Sequence, residues 1–133
     1  MTPLSRAANH VLTHGGGTFL PGHLTDAELT SGYMVGGVVP AAPSAPATPL
    51  DARAALEAFL ARPDVREALD GCEQYRTATF VGGWIDAAGR VVWDVSECYH
   101  DEHDALYVAA SRGEDAVWDN ARQEEIILPA RMY

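Results

Sequence analysis

The sequence predicts an α+β domain, a mostly antiparallel sheet built from hairpins with helices on one face. Three observations carry that class. The strand-like runs Arg76 to Asp86 and Arg90 to Glu97 are joined by Asp86-Ala87-Ala88-Gly89, a short glycine-containing hairpin loop. Ala116-Val117-Trp118 and Glu125-Ile126-Ile127-Leu128 form a second such pair around Asp119 to Gln123. Helical segments with readable start and stop signals lie between strand pairs. The 133 residues fit a single domain, 1–133, and are too few for a TIM barrel or a two-domain dinucleotide enzyme.

Each element follows from local chemistry. Residues 1–14 are weakly patterned and read as a short helix or a flexible arm, broken by Gly15-Gly16-Gly17. Thr18-Phe19-Leu20 is a short strand stopped by Pro21-Gly22. Thr30 to Val39 suits a second strand, with Gly36-Gly37 marking a bulge or a close backbone approach. Residues 40–49 carry Pro40, Pro43, Pro46 and Pro49 at the three-residue period of polyproline II. Without aromatic or basic flanks, this segment reads as a stiff connector rather than a ligand for an SH3-like groove.

Thr48 then caps a helix, Pro49 fits its first position, and Asp51 complements its dipole. Leu50 to Ala61 follows, with Ala55, Leu56, Phe59 and Leu60 as its apolar stripe. A second helix spans Asp64 to Asp70, with Gly71 as its stop. In the central hairpin Gly82-Gly83 marks a bulge or tight packing. A third helix covers Glu102 to Arg112, capped by Asp101 or Asp104, with His103, Leu106, Tyr107 and Ala110 sharing a face. The predicted order is β-β-α-α-β-β-α-β-β.

Composition excludes several activities. All nine basic residues are arginine, so no Schiff-base or lysine-dependent chemistry is available. Without lysine there is also no phosphate-binding P-loop. His14-Gly15-Gly16-Gly17 resembles the oxyanion loop of esterases, but no serine stands in a Gly-x-Ser-x-Gly elbow, so the glycines read as a hinge. The net charge of −10 argues against direct contact with nucleic acid or an anionic membrane, because both need clustered cations. Residues 1–14 hold too few large apolar residues for a signal core, and no run approaches a membrane span. A soluble cytoplasmic protein is expected, with Cys72 and Cys98 reduced, although their spacing leaves a disulfide open.

The densest cluster of chemical groups is Cys98-Tyr99-His100-Asp101-Glu102-His103-Asp104. Cys98, His100 and His103 are zinc-ligand types, and a small zinc protein or metal-dependent enzyme is the alternative reading. These residues straddle a strand-to-helix junction and have no second ligand pair. An acidic helix N-terminus therefore explains the segment better, and no cofactor is expected. Trp84, Trp93 and Trp118 read as core or interface anchors, and an interface of that kind would make a homodimer.

Position gives the charge its meaning. Residues 94–125 carry ten acidic residues against Arg112 and Arg122, a net −8 of the chain's −10. The candidate partner-binding residues are Asp94, Glu97, Asp101, Glu102, Asp104, Glu114, Asp115, Trp118 and Asp119. Carboxylates beside aromatics can stand where a nucleic-acid-binding protein expects phosphates.

Thr30-Ser31-Gly32-Tyr33-Met34-Val35 carries a resemblance, together with Gly82 to Asp86, Gly89 to Ser96 and Ala116-Val117-Trp118-Asp119. These segments resemble a family of small uncharacterised proteins of actinobacterial phages, plasmids and their hosts. The resemblance spans about residues 15–128 and carries over no catalytic residue. It implies a mobile-element setting, in which small acidic proteins often inhibit host defence. The combined expectation is a non-enzymatic viral or mobile-element protein. Its partner would be a basic host protein, a nucleic-acid-binding defence component such as a restriction or CRISPR protein.

Overall fold

A computed structural model describes residues 1–75 and 79–129, with 71–75 described by their backbone alone. The chain runs α1 (Pro3–His14), β1 (Gly16–Phe19), β2 (Tyr33–Val35), β3 (Ala45–Pro46), α2 (Pro49–Leu60) and α3 (Pro63–Tyr75). It continues through β4 (Thr79–Ile85), β5 (Arg90–Tyr99), α4 (Glu102–Ser111), β6 (Ala116–Asp119) and β7 (Glu124–Ile127). All strand pairs are antiparallel, in the order β1-β4-β5-β2-β6-β7, with β3 also on β5. The fold class is therefore α+β, as predicted, with α1 and β3 added to the predicted order.

Residues 1–14 take the helical alternative. Thr2 caps Ser5 N–H, Pro3 occupies the first turn, and Gly15 at φ +83° closes the helix on the Val11 carbonyl. The helix is a core element, with Ala7, Ala8 and Val11 fully buried. Helix α2 uses the predicted Thr48-Pro49-Asp51 start. Helix α3 runs past Gly71 to Tyr75, so that glycine is not its stop. The predicted strand start at Arg76 and the Cys72 thiol lie outside the described residues.

The register puts the helices on one face. Val91, Trp93, Val95, Glu97 and Tyr99 alternate along β5 and share a face with Val81 of β4 and Val35 of β2. Two clusters cover this face. Ala7, Ala8 and Val11 of α1, Ala52, Leu56 and Phe59 of α2 and Val65 of α3 pack with Phe19, Val81, Val91, Trp93 and Val95. Ala105 and Ala109 of α4 pack with Val35, Val117 and Leu128. The predicted apolar face of α4 is corrected here, since Tyr107 and His103 are exposed. Alanines four residues apart let the helix sit close to the sheet.

The glycines and the proline segment also gain definite roles. β4 and β5 pair without interruption, so Gly82-Gly83 is no bulge. A Cβ on Gly83 would stand 2.5 Å from the Trp93 ring, so the glycine makes room for the indole. The 40–49 segment is more than a connector. Its Ala45-Pro46 pairs Val91-Arg90, and the Ala42 N–H donates to the Trp93 carbonyl at 2.9 Å. β2 and β3 thus lie along the same edge of β5, and residues 36–44 arch between them. Among the described residues, no helix is long and apolar enough to cross a membrane.

Candidate functional site

The acidic stretch 94–125 folds into two kinds of place, one buried and one exposed. The buried group lies beneath the arch. Asp94 is 5% exposed and accepts the Gly37 N–H at 3.2 Å through Oδ2, while Oδ1 has no hydrogen-bond partner among the described residues. The Glu114 carboxylate converges on the same spot, and a Cβ on Gly36 would collide with both acids. Burial pushes the Asp94 carboxyl above its ordinary value, against the pull of the Gly37 N–H and the Arg112 charge. Burial also raises Glu114, with the Asp94 charge adding to it. Arg112 is the nearby cation. It pairs with Glu97 and donates to the Gly36 carbonyl at 3.1 Å, while the Tyr99 hydroxyl donates to Glu97 at 3.0 Å.

This corrects three of the proposed surface contacts. Asp94 is buried beneath the arch, and Glu97 is neutralised by Arg112 with its side chain 14% exposed. Asp119 is 4% exposed because its Oδ1 accepts the Ala121 and Arg122 N–H groups and shapes the β6–β7 turn. None of the three offers a free carboxylate to a partner. Glu114 is half-buried beside Asp94, so it contributes to the arch more than to the surface.

The remaining acids are on the outside. Asp101, Glu102, Asp104, Asp115, Glu124 and Glu125 are all exposed. Asp101 also caps α4, accepting the His103 N–H at 3.0 Å. The register gathers part of this set at one end of the sheet. Tyr99 pairs Tyr33, Tyr33 pairs Asp119, and Asp119 pairs Glu124. Three strand spacings of about 4.8 Å separate the start of the Tyr99–Asp101 turn from Glu124. The α4 N-terminus and the last hairpin therefore share that end. Among exposed residues of 94–125 the only arginine is Arg122, and it lies within 4 Å of Asp119 and Glu124.

Trp118 is 36% exposed and pairs with Glu125, and Ile127 beside it is 65% exposed. Glu124, Glu125 and Ile127 were absent from the sequence-derived contact set. Their signal was present as charge directly before an apolar strand run. Trp93 is a core anchor, whereas Trp84 and Trp118 stand at the surface.

The zinc-type residues are not brought together. The Cys98 thiol is half-buried, donates weakly to the Ser31 carbonyl at 3.9 Å, and accepts from Asn120 at 3.8 Å. Burial raises its pKa, which makes it a poorer ligand and nucleophile. His100 and His103 are exposed. Among the described residues no three His, Cys, Asp or Glu groups are placed to hold a metal. No family model, curated protein or solved structure matches the chain.

The buried acids give a pH prediction. The raised pKa of Asp94 means the folded state binds its proton more tightly than the unfolded chain does. Its stabilising contribution is full below the ordinary aspartate range and is lost as pH rises through the raised value. Asp94→Asn keeps an acceptor for Gly37 and removes the buried charge. The variant is expected to be more stable than the parent at pH 7 by roughly 1–2 kcal/mol. The gap should close in denaturation curves taken near pH 4, and a gap constant across pH would contradict this account.

Proposed function

We propose that this chain is a non-enzymatic interaction protein. It binds a basic partner of the nucleic-acid-binding class through the exposed acids of α4, Asp115 and the β6–β7 hairpin. The observation that carries this reading is the sorting of the acids. The folded chain uses Asp94, Glu97 and Asp119 internally and leaves Glu102, Asp104, Asp115, Glu124 and Glu125 exposed with almost no compensating cation. Such a surface steers cationic proteins and repels phosphate. The resemblance to mobile-element proteins supports a host-defence component as the partner, and the cytoplasm as the meeting place.

The test follows from the sorting. Asp101 and Glu114 are left unchanged, because the first caps α4 and the second packs against Asp94. A variant carrying Glu102→Lys, Asp104→Lys, Asp115→Lys and Glu124→Lys keeps every buried contact. It should lose capture of the partner from host extract by tenfold or more, about 1.4 kcal/mol in binding, while its circular dichroism stays unchanged. Undiminished capture by a folded variant would refute the proposal.

A further inference from the structure

β7 ends the sheet, and among the described residues no strand pairs its outer edge. The hydrogen-bond phase of that edge is fixed. The Leu128 N–H donates to the Asp115 carbonyl at 2.9 Å, and 115 and 128 obey the same register as Ala116↔Ile127. In an antiparallel ladder bonded residues alternate. Ile126 and Glu124 therefore turn their backbone groups toward β6, and Glu125 and Ile127 turn theirs outward. Those two residues are also exposed, and their side chains share the helix-free face with Trp118, directly opposite Glu125.

Unpaired edges are normally blunted by shortness, charged side chains, proline, a bulge or a covering loop. The opposite edge shows such a cover. The Ala27 N–H donates to the Thr18 carbonyl at 2.9 Å, and Phe19 bridges to Asp26. β7 has no proline or bulge; it is short, and its two charges are both negative, which guards it against an acidic strand and leaves it open to a basic one. Its pattern is Glu124-Glu125-Ile126-Ile127, a charged half and an apolar half on both faces.

We infer that the outer edge of β7 accepts an extended basic segment of the partner by strand addition. This rests on the acidic-surface reading and specifies how the partner is held. Cross-strand matching dictates the occupant's sequence. Running antiparallel, it places two apolar residues opposite Ile127 and Ile126, followed by two basic residues opposite Glu125 and Glu124. A second copy of this chain fits less well, because its edge brings no basic residue to meet Glu124 and Glu125.

The probe is a capped peptide, Thr-Thr-Val-Val-Arg-Arg-Thr-Thr, titrated into the isotopically labelled protein. Its control has the same sequence with N-methylated valines, which keeps the charge and removes strand hydrogen bonding. The expected result is a saturable shift of the Glu125 and Ile127 amide resonances. The N-methylated peptide and the Ile127→Pro variant should each bind roughly tenfold more weakly, the effect of one lost hydrogen bond. Proline at 127 removes only an outward N–H, so the β6 pairing survives. The reversal variant of the preceding section is run alongside and should also lose the peptide.

Equal binding of both peptides, with loss in the reversal variant, overturns strand addition and leaves the acidic-surface reading standing. Binding unchanged by charge reversal overturns both. Absence of any shift overturns strand addition, and amide shifts that depend on protein concentration alone assign the edge to a second copy.

Discussion

Trp93→Ala is expected to remove about 3–5 kcal/mol of stability, the range for deleting a buried aromatic. Small domains have only about 5–15 kcal/mol in total, so the variant should unfold in mild denaturant or fail to accumulate. The reason is geometric. Trp93 is fully buried at the centre of β5, and its Nε1–H donates to the Ala52 carbonyl at 3.1 Å. Its ring lies against the bare backbone of Gly83 and near the Phe19 ring, with centroids 6.4 Å apart. One residue thus ties the sheet to α2 through both packing and a hydrogen bond. Gly83→Ala alone should cost about 1–3 kcal/mol by overpacking. In the Trp93→Ala background its closest clash partner is gone and only Val11 Cγ2, at 3.0 Å, stays near, so the two losses should not add in full. Additive losses in urea denaturation would contradict the contact.

Arg112→Met has the second-largest expected effect, about 2–3 kcal/mol at pH 7, from leaving a mostly buried charge without its partner. Arg112 pairs Glu97 and holds the Gly36 carbonyl, and its charge opposes the burial that raises Asp94 and Glu114. Methionine keeps much of the apolar stem and removes the cation. Both raised carboxyls should then rise further. The loss of stability should be greatest at neutral pH and shrink as pH falls through the carboxylate range, because protonation removes the stranded charges. A loss that does not vary with pH would show that the arginine acts by packing alone.

The sequence made some elements legible and hid others for physical reasons. Thr48-Pro49-Leu50-Asp51 announced α2 because capping chemistry is local. Thr2-Pro3 carries the same signal for α1, but that helix buries alanines, which give little hydrophobic contrast. β3 was hidden because it is only Ala45-Pro46, and its pairing depends on the distant residues Val91 and Arg90. The central and final hairpins were visible because alternation and turn residues coincide there.

The candidate site was only partly legible. Asp94 stands in an alternating run that reads as a wet face. Only the arch above it, marked in sequence by Gly36-Gly37, makes it buried. Asp119 is buried by its own turn, where its carboxylate accepts the Ala121 and Arg122 N–H groups. Total charge was therefore a good guide to the acidic character of this region and a poor guide to which carboxylates are free. Cys98, His100 and His103 are neighbours in sequence, yet the end of β5 and the start of α4 disperse them.

Competition on the captured partner shows whether the exposed acids occupy the place of phosphates. The wild-type protein is immobilised, loaded from host extract, and washed with duplex DNA or RNA at constant ionic strength. If the exposed acids stand where phosphates would bind, the retained protein is basic and nucleic acid releases it. Higher salt should release it too, because the attraction is screened. A partner that stays bound through both washes, or that the four-lysine variant captures equally well, would contradict the claim.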